Sequence, residues 1–137
     1  MACKGMPSQL HQALLELFRN RPQLAPELLR DALRVEVPAY SEVRIESVDL
    51  SELQPPEYRA DLVILLYRGK PVLGIVVEAQ LDTDARKLYS WPHYVTGVRA
   101  RFRCPVCLLV VTVEERVARW AAQPIELGGG NLYRALV

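Results

Sequence analysis

One stretch limits the fold of this chain more than any other: residues 58–80, YRADLVILLYRGKPVLGIVVEAQ. Two apolar runs, 60–67 and 72–80, flank Arg68–Gly69–Lys70–Pro71, a turn signature. The pattern predicts an antiparallel hairpin. Pro71 cannot donate a turn-closing hydrogen bond, which favours a four-residue loop over a tight turn at Gly69–Lys70. Either loop gives the same register: Tyr67 faces Val72, Val63 faces Val76, and Asp61 faces Glu78. The near-continuous hydrophobicity of 62–66, 73–77 and 106–111 says that these strands are covered on both faces.

The flanking segments supply the cover. Ser8 reads as a helix N-cap, followed by Leu10, Leu14, Leu17 and Phe18 at helical spacing. Pro26 reads as the first residue of a second short helix whose buried stripe is Leu28, Leu29, Ala32 and Leu33. Val43, Ile45 and Val48 alternate with polar residues and predict a half-exposed strand. Residues 84–103 predict a helix bent at Pro92, 104–113 an apolar strand, and 114–123 a further helix. Asn131–Val137 reads as the beginning or middle of another strand, so the domain is expected to run on past Val137. A strand that follows a helical crossover can join the sheet in parallel. The expected architecture is therefore a mixed central sheet with helices on its faces.

At 137 residues the chain has enough length for one core and too little for two, so residues 1–137 form one domain. Half of the residues are hydrophobic and 24% are charged, which excludes overall disorder. No apolar run reaches the roughly 18–20 residues of a membrane span, and the first ten residues hold no apolar secretion core. Three cysteines cannot form a complete disulfide framework, so a reducing cytoplasm is the expected location. A net charge of +1 excludes a wholly basic surface and leaves room for a local patch.

The register carries a cost. Directly opposed like charges in an antiparallel pair are unfavourable, and partial burial raises the penalty of ionising both Asp61 and Glu78. A shared proton, a basic side chain or a divalent cation must compensate. Mg²⁺ takes one or two carboxylates and leaves its other positions for water and phosphate. Gln80 shares a strand face with Glu78. The competing reading is structural: Asp61 caps a loop, and Glu78 pairs with Arg59 or Lys87.

An order of helix, three strands, helix and strand, with Ala60–Asp61 on the second strand and Glu78–Ala79–Gln80 on the third, resembles the PD-(D/E)XK nuclease superfamily. Gln in the usual Lys position is similar to the transposase-like, recombination-promoting branch. The resemblance covers roughly Ser8 to Val113 and rests on element order more than on identity. It implies an α/β, restriction-endonuclease-like three-layer core of order α-β-β-β-α-β that hydrolyses phosphodiester bonds of DNA with Mg²⁺ or Mn²⁺ and often works as a dimer. It implies that Asp61 and Glu78 bind the metal, with the Ala79 carbonyl as a further ligand and Gln80 orienting water. Glu16 would be the auxiliary acid, its alternative being an ordinary exposed helix glutamate, and Lys87 and Tyr94 would replace missing polar function. Glutamine is neutral, so the metal would carry more of the electrostatic work. Alanine at Asp61 or Glu78 should then abolish cleavage and leave the fold intact. The alternative is an inactive nuclease fold that serves as a DNA-binding or protein-interaction scaffold.

Arg86, Lys87, Arg99, Arg101 and Arg103 lie in one acid-free stretch, interleaved with Tyr89, Trp91, His93 and Tyr94. This is either a phosphate- and base-binding face or a solvated helix with aromatics packed on the sheet. Cys104-Pro-Val-Cys107 lacks the second pair that a structural zinc site needs and reads as two buried structural cysteines. His11 and His93 have no Ser or Cys partner at a telling spacing. Gly128–Gly130 is a flexible loop, and Trp120 is an exposed candidate for a protein contact.

Overall fold

The computed structural model describes residues 8–46 and 60–137; Val48 and Arg59 lie outside them. Helix α1 is Gln9–Asn20, and Ser8 caps it by accepting the His11 N–H at 3.0 Å. The buried face of α1 carries Leu15 and Phe18, whereas Leu10 and Leu17 are 44% and 55% exposed. The expected stripe is thus rotated in part: Phe18 and the half-buried Leu14 keep their places on the core, and Leu15 stands there in place of Leu10 and Leu17. Leucines surround much of this helix, so several phases are compatible with its sequence and docking on the sheet selects one. Helix α2 is Leu24–Glu27 and runs on through a π-turn over Leu28–Ala32. Pro26 is its third residue rather than its first, and the buried side is Ala25, Pro26 and Leu29, with Ala32 exposed.

The strands are β1 Glu42–Glu46, β2 Leu62–Tyr67, β3 Pro71–Ala79 and β4 Val106–Val111. They form one mixed sheet in the order β1-β2-β3-β4, antiparallel except for the parallel β3–β4 pair. Val63 faces Val76 and Leu62 faces Val77, as the hairpin reading expects. The turn end differs. The register slips between Leu66 and Tyr67, so Tyr67 faces Pro71 instead of Val72. Pro71 costs no ladder bond as the first residue of a strand, which is where a sheet tolerates it.

Helix α3 is Lys87–Phe102 and contains Pro92. It is shorter at its start than the sequence suggests, because Asp84 accepts the Arg86 N–H and holds a turn there. Because β3 and β4 are parallel, α3 must run back along the sheet between them. Its first turn therefore lies at the carboxyl end of β3 and its last at the opposite end. Helix α4 is Glu115–Ala121, and β5 Ile125–Gly128 pairs with β6 Asn131–Tyr133 in a separate hairpin. Leu136 then bridges in parallel to Leu109 and continues the main sheet beyond β4.

Side chains sort by the two-residue period of the strands. Leu62, Ile64, Leu66, Ile75 and Val77 pack on one face with Leu15, Phe18, Ala25 and Leu29. Val63, Val76, Leu108 and Val110 pack on the other with Trp91, Tyr94, Val95 and Val98. This is a mixed α/β chain with helices on both faces of its sheet. None of the described helices is long and apolar enough to cross a membrane.

Gly74 marks the closest approach in the core. A β-carbon there would lie 3.1 Å from Val106 Cγ2, 3.2 Å from Leu65 Cδ2 and 3.4 Å from Val98 Cγ1. With packed atoms on three sides, Gly74→Ala should lower stability by about 1–2 kcal/mol, read as a lower midpoint in urea at unchanged slope.

Candidate functional site

Asp61 stands one residue before β2, and Glu78 is the penultimate residue of β3. Each carboxylate grips the other's strand. Glu78 Oε2 accepts the Asp61 N–H at 2.6 Å, and Asp61 Oδ2 accepts the Ala79 N–H at 3.1 Å. These side-chain bonds take over where the ladder stops. Glu78 Oε1 also accepts from Lys87 Nζ at 3.0 Å and from Trp91 Nε1 at 3.2 Å. Lys87 and Trp91 are four residues apart on α3, one above the other on the same helix face. Across the site, His11 Nε2 on α1 lies 3.1 Å from Asp61 Oδ2. His11 Nδ1 is buried without a partner among the described residues.

Glu78 is completely buried, and the Asp61 side chain is 20% exposed. Burial first, and then the Asp61 charge, push the Glu78 carboxyl up to about 7; Lys87 and the Asp61 N–H pull the other way. Burial alone would lower the Lys87 ammonium, but Glu78, Tyr94 and Asp61 outweigh it, and the group is raised. Lys87 Nζ also sits 5.9 Å from the centre of the buried Tyr94 ring.

A raised carboxyl makes stability depend on pH. Between the ordinary Glu value of 4.5 and about 7, the unfolded chain has lost the Glu78 proton and the folded chain has kept it. The folded state then binds more protons, so stability falls as pH rises through this window. In urea titrations of the metal-free protein, Glu78→Gln should flatten the decline between about pH 4.5 and 7. An unchanged slope in the variant would assign the decline to other groups.

The remaining sequence candidates fall in different places. Gln80 is buried, and its amide nitrogen is committed to the Asp82 carbonyl at 2.7 Å, where it holds the turn after β3. Its amide nitrogen thus holds the loop. Glu16 pairs with Arg19 at 2.9 Å on the exposed side of α1. Five residues separate it from His11, about 140° around the helix at 3.6 residues per turn, so it takes the exposed-glutamate alternative. Arg86 binds Asp84 beside Lys87. Arg99, Arg101 and Arg103 lie at the other end of α3, with Arg99 about 18 Å from Lys87 at 1.5 Å rise per residue. The five basic residues are therefore two groups, not one patch.

His11 and Trp91 are the site residues that the sequence reading missed. His11 stands four and seven residues before the buried Leu15 and Phe18, so it continues their face once the phase of α1 is known. Trp120 is half-buried rather than exposed, because its ring packs on Trp91 at a centroid distance of 5.5 Å. Cys104 is buried and Cys107 half-buried, both are free thiols, and burial pushes Cys107 up to about 11, which suits a structural role.

Among the described residues, no group of three or more His, Cys, Asp or Glu side chains is gathered so as to hold a metal. Asp61 and Glu78 alone offer two carboxylates at one point, and the Lys87 ammonium already supplies one positive charge there. Oxygen donors of this kind fit a hard dication that keeps several waters. No protein-family model matches the chain, and comparisons with curated proteins and with solved structures return no match.

Proposed function

We propose that this chain is a metal-dependent nuclease of restriction-endonuclease-like fold that hydrolyses phosphodiester bonds of DNA. The observation that supports it best is the meeting of Asp61, Glu78 and Lys87 at the carboxyl end of β3. Asp61 and Glu78 would hold Mg²⁺ or Mn²⁺, with the Ala79 carbonyl as a further ligand. When bound, the cation supplies a more acidic water and stabilises charge on the phosphate.

The chain's own groups do the positioning. The Ala79 N–H and His11 orient Asp61. The Asp61 N–H and the Trp91 indole fix Glu78. Lys87 brings the positive charge that Gln80 lacks, delivered from α3 instead of from β3. Arg99, about 18 Å away along α3, would meet a duplex about five base pairs from the reacting phosphate at 3.4 Å per step.

Plasmid DNA incubated with the protein and Mn²⁺ should be cut, and chelation should stop the cutting. Lys87→Met should slow it about 100-fold with Mn²⁺ binding retained, a loss within the range of one electrostatic donor. No cleavage with either Mg²⁺ or Mn²⁺ would overturn the proposal. One observation favours the scaffold alternative: both Glu78 oxygens already have partners within the protein. A scaffold would bind DNA equally well with Asp61→Ala and never cut it.

A further inference from the structure

The end of the sheet opposite the carboxylates gathers positive charge from two segments far apart in the chain. Gly74 of β3 pairs with Val106 of β4, and its N–H donates to the Pro105 carbonyl at 2.8 Å. Val98 of α3 lies over the same glycine. From Val98 the helix runs on to Arg99, Arg101 and its cap, Arg103. From Gly74 the strand runs back to Pro71, with Lys70 and Arg68 in the turn before it. Both courses leave the sheet at the amino end of β3, so the hairpin turn and the last turn of α3 stand side by side.

All five basic side chains there are exposed. Among the described residues, no carboxylate pairs with Arg68, Lys70, Arg99 or Arg103. The chain holds no acid from 62 to 77 or from 85 to 113. Glu42 of β1 faces Tyr67 near the turn and is committed to Arg44. Two backbone features fix the group. Gly69 takes φ +75°, a conformation that favours glycine, and the Arg68 N–H donates to the Lys70 carbonyl at 2.9 Å. Arg103 caps α3 at φ +54°, where glycine or asparagine is the usual residue. Arginine at this position strains the backbone and places a cation beside Arg99, whose carbonyl accepts the Arg103 N–H at 2.9 Å.

We propose that the amino end of β3 binds the phosphate backbone of duplex DNA, as a surface separate from the carboxylates. The inference goes beyond the nuclease reading and applies to a scaffold as well, because it uses no residue of the cation site. Four of the five cations are arginines, whose planar fork matches phosphate oxygens. A membrane-binding surface adds apolar side chains to its cations, and a single-strand surface adds aromatic faces for stacking. Neither is present here: no large exposed apolar side chain belongs to the turn or to the last turn of α3. Contacts made by charge alone hold a duplex without reading its sequence.

The test is fluorescence anisotropy of the full chain, without metal, on a short DNA duplex over a salt series. Each phosphate contact contributes about 0.9 to the slope of log affinity against log salt. Arg68→Gln with Lys70→Gln should therefore flatten the slope by about 1.8, and Arg103→Gly by about 0.9. Arg103→Gly should do so with a melting midpoint no lower than wild type, since glycine relieves the backbone. Arg19→Gln with Arg30→Gln removes the same charge from α1 and the π-turn, which pack on the other face of the sheet, and should leave the slope unchanged. An unchanged slope in the turn and Arg103 variants, an equal loss in the Arg19 and Arg30 control, or no binding of duplex would overturn the proposal. So would single-stranded DNA bound more tightly than the duplex, or phosphatidylserine vesicles bound through the same residues while the duplex stays free. Cleavage separates the two claims. A protein that cuts DNA with the slope unmoved in both variants loses this surface alone. One that binds duplex through this end but neither cuts nor binds Mn²⁺ loses the nuclease reading alone.

Discussion

Asp61→Ala should lose DNA cleavage by about 1000-fold or more and still fold. The loss follows from removing one of the two carboxylates that, among the described residues, meet at this point; a thousandfold corresponds to about 4 kcal/mol of barrier. The fold survives because Asp61 is at the rim. Its side chain is a fifth exposed, and its departure frees one backbone N–H, that of Ala79, together with the ring of His11. A lost hydrogen bond of this kind costs about 1 kcal/mol. Single-turnover cleavage in Mn²⁺ and a thermal melt of the same sample measure both quantities. Cleavage within tenfold of wild type would remove Asp61 from the site.

Glu78→Ala should behave differently, and the difference corrects the sequence-based expectation that either alanine leaves the fold intact. Glu78 is fully buried and accepts three hydrogen bonds, from the Asp61 N–H, Lys87 and Trp91. Above about pH 7, where Glu78 is ionised, deleting one partner of a buried ion pair costs about 3–5 kcal/mol, because the other charge is left behind. Lys87 has 22% of its side chain exposed and can recover some hydration. The expected loss is therefore at the low end, about 3 kcal/mol, or roughly 10 °C in midpoint for a chain of this size. Cleavage should vanish as well. Lys87→Met combined with Glu78→Met should recover part of the stability and none of the activity, since a hydrophobic replacement of both partners removes the unpaired charge. A Glu78→Ala protein as stable as wild type would mean that the buried pair contributes nothing to the fold.

The two carboxylates were legible in the sequence because a hairpin with one turn fixes its own register. Alternation of side chains and the position of Gly69–Lys70 were enough to bring Asp61 opposite Glu78, even though the turn end slips by one residue at Tyr67. The β3–α3–β4 crossover was legible for the same kind of reason, since a parallel neighbour requires a return helix. What escaped was helix phase. Leucines on several sides of α1 left its rotation open, and with it the meeting of His11 with Asp61. Trp91 and Trp120 escaped because their contact joins α3 to α4, across a strand, with no local pattern to announce it. The basic residues misled by proximity in sequence. Helix α3 is sixteen residues long, so arginines that are neighbours on paper sit at opposite ends of the sheet.

Calorimetric titration of Mn²⁺ into the wild type and into Asp61→Ala asks whether Asp61 and Glu78 form a cation site. One binding event is expected in the wild type, with or without a DNA fragment present, and it should disappear in the folded Asp61→Ala protein. Binding of equal strength in both proteins, or none in a well-folded wild type even with DNA present, would contradict it.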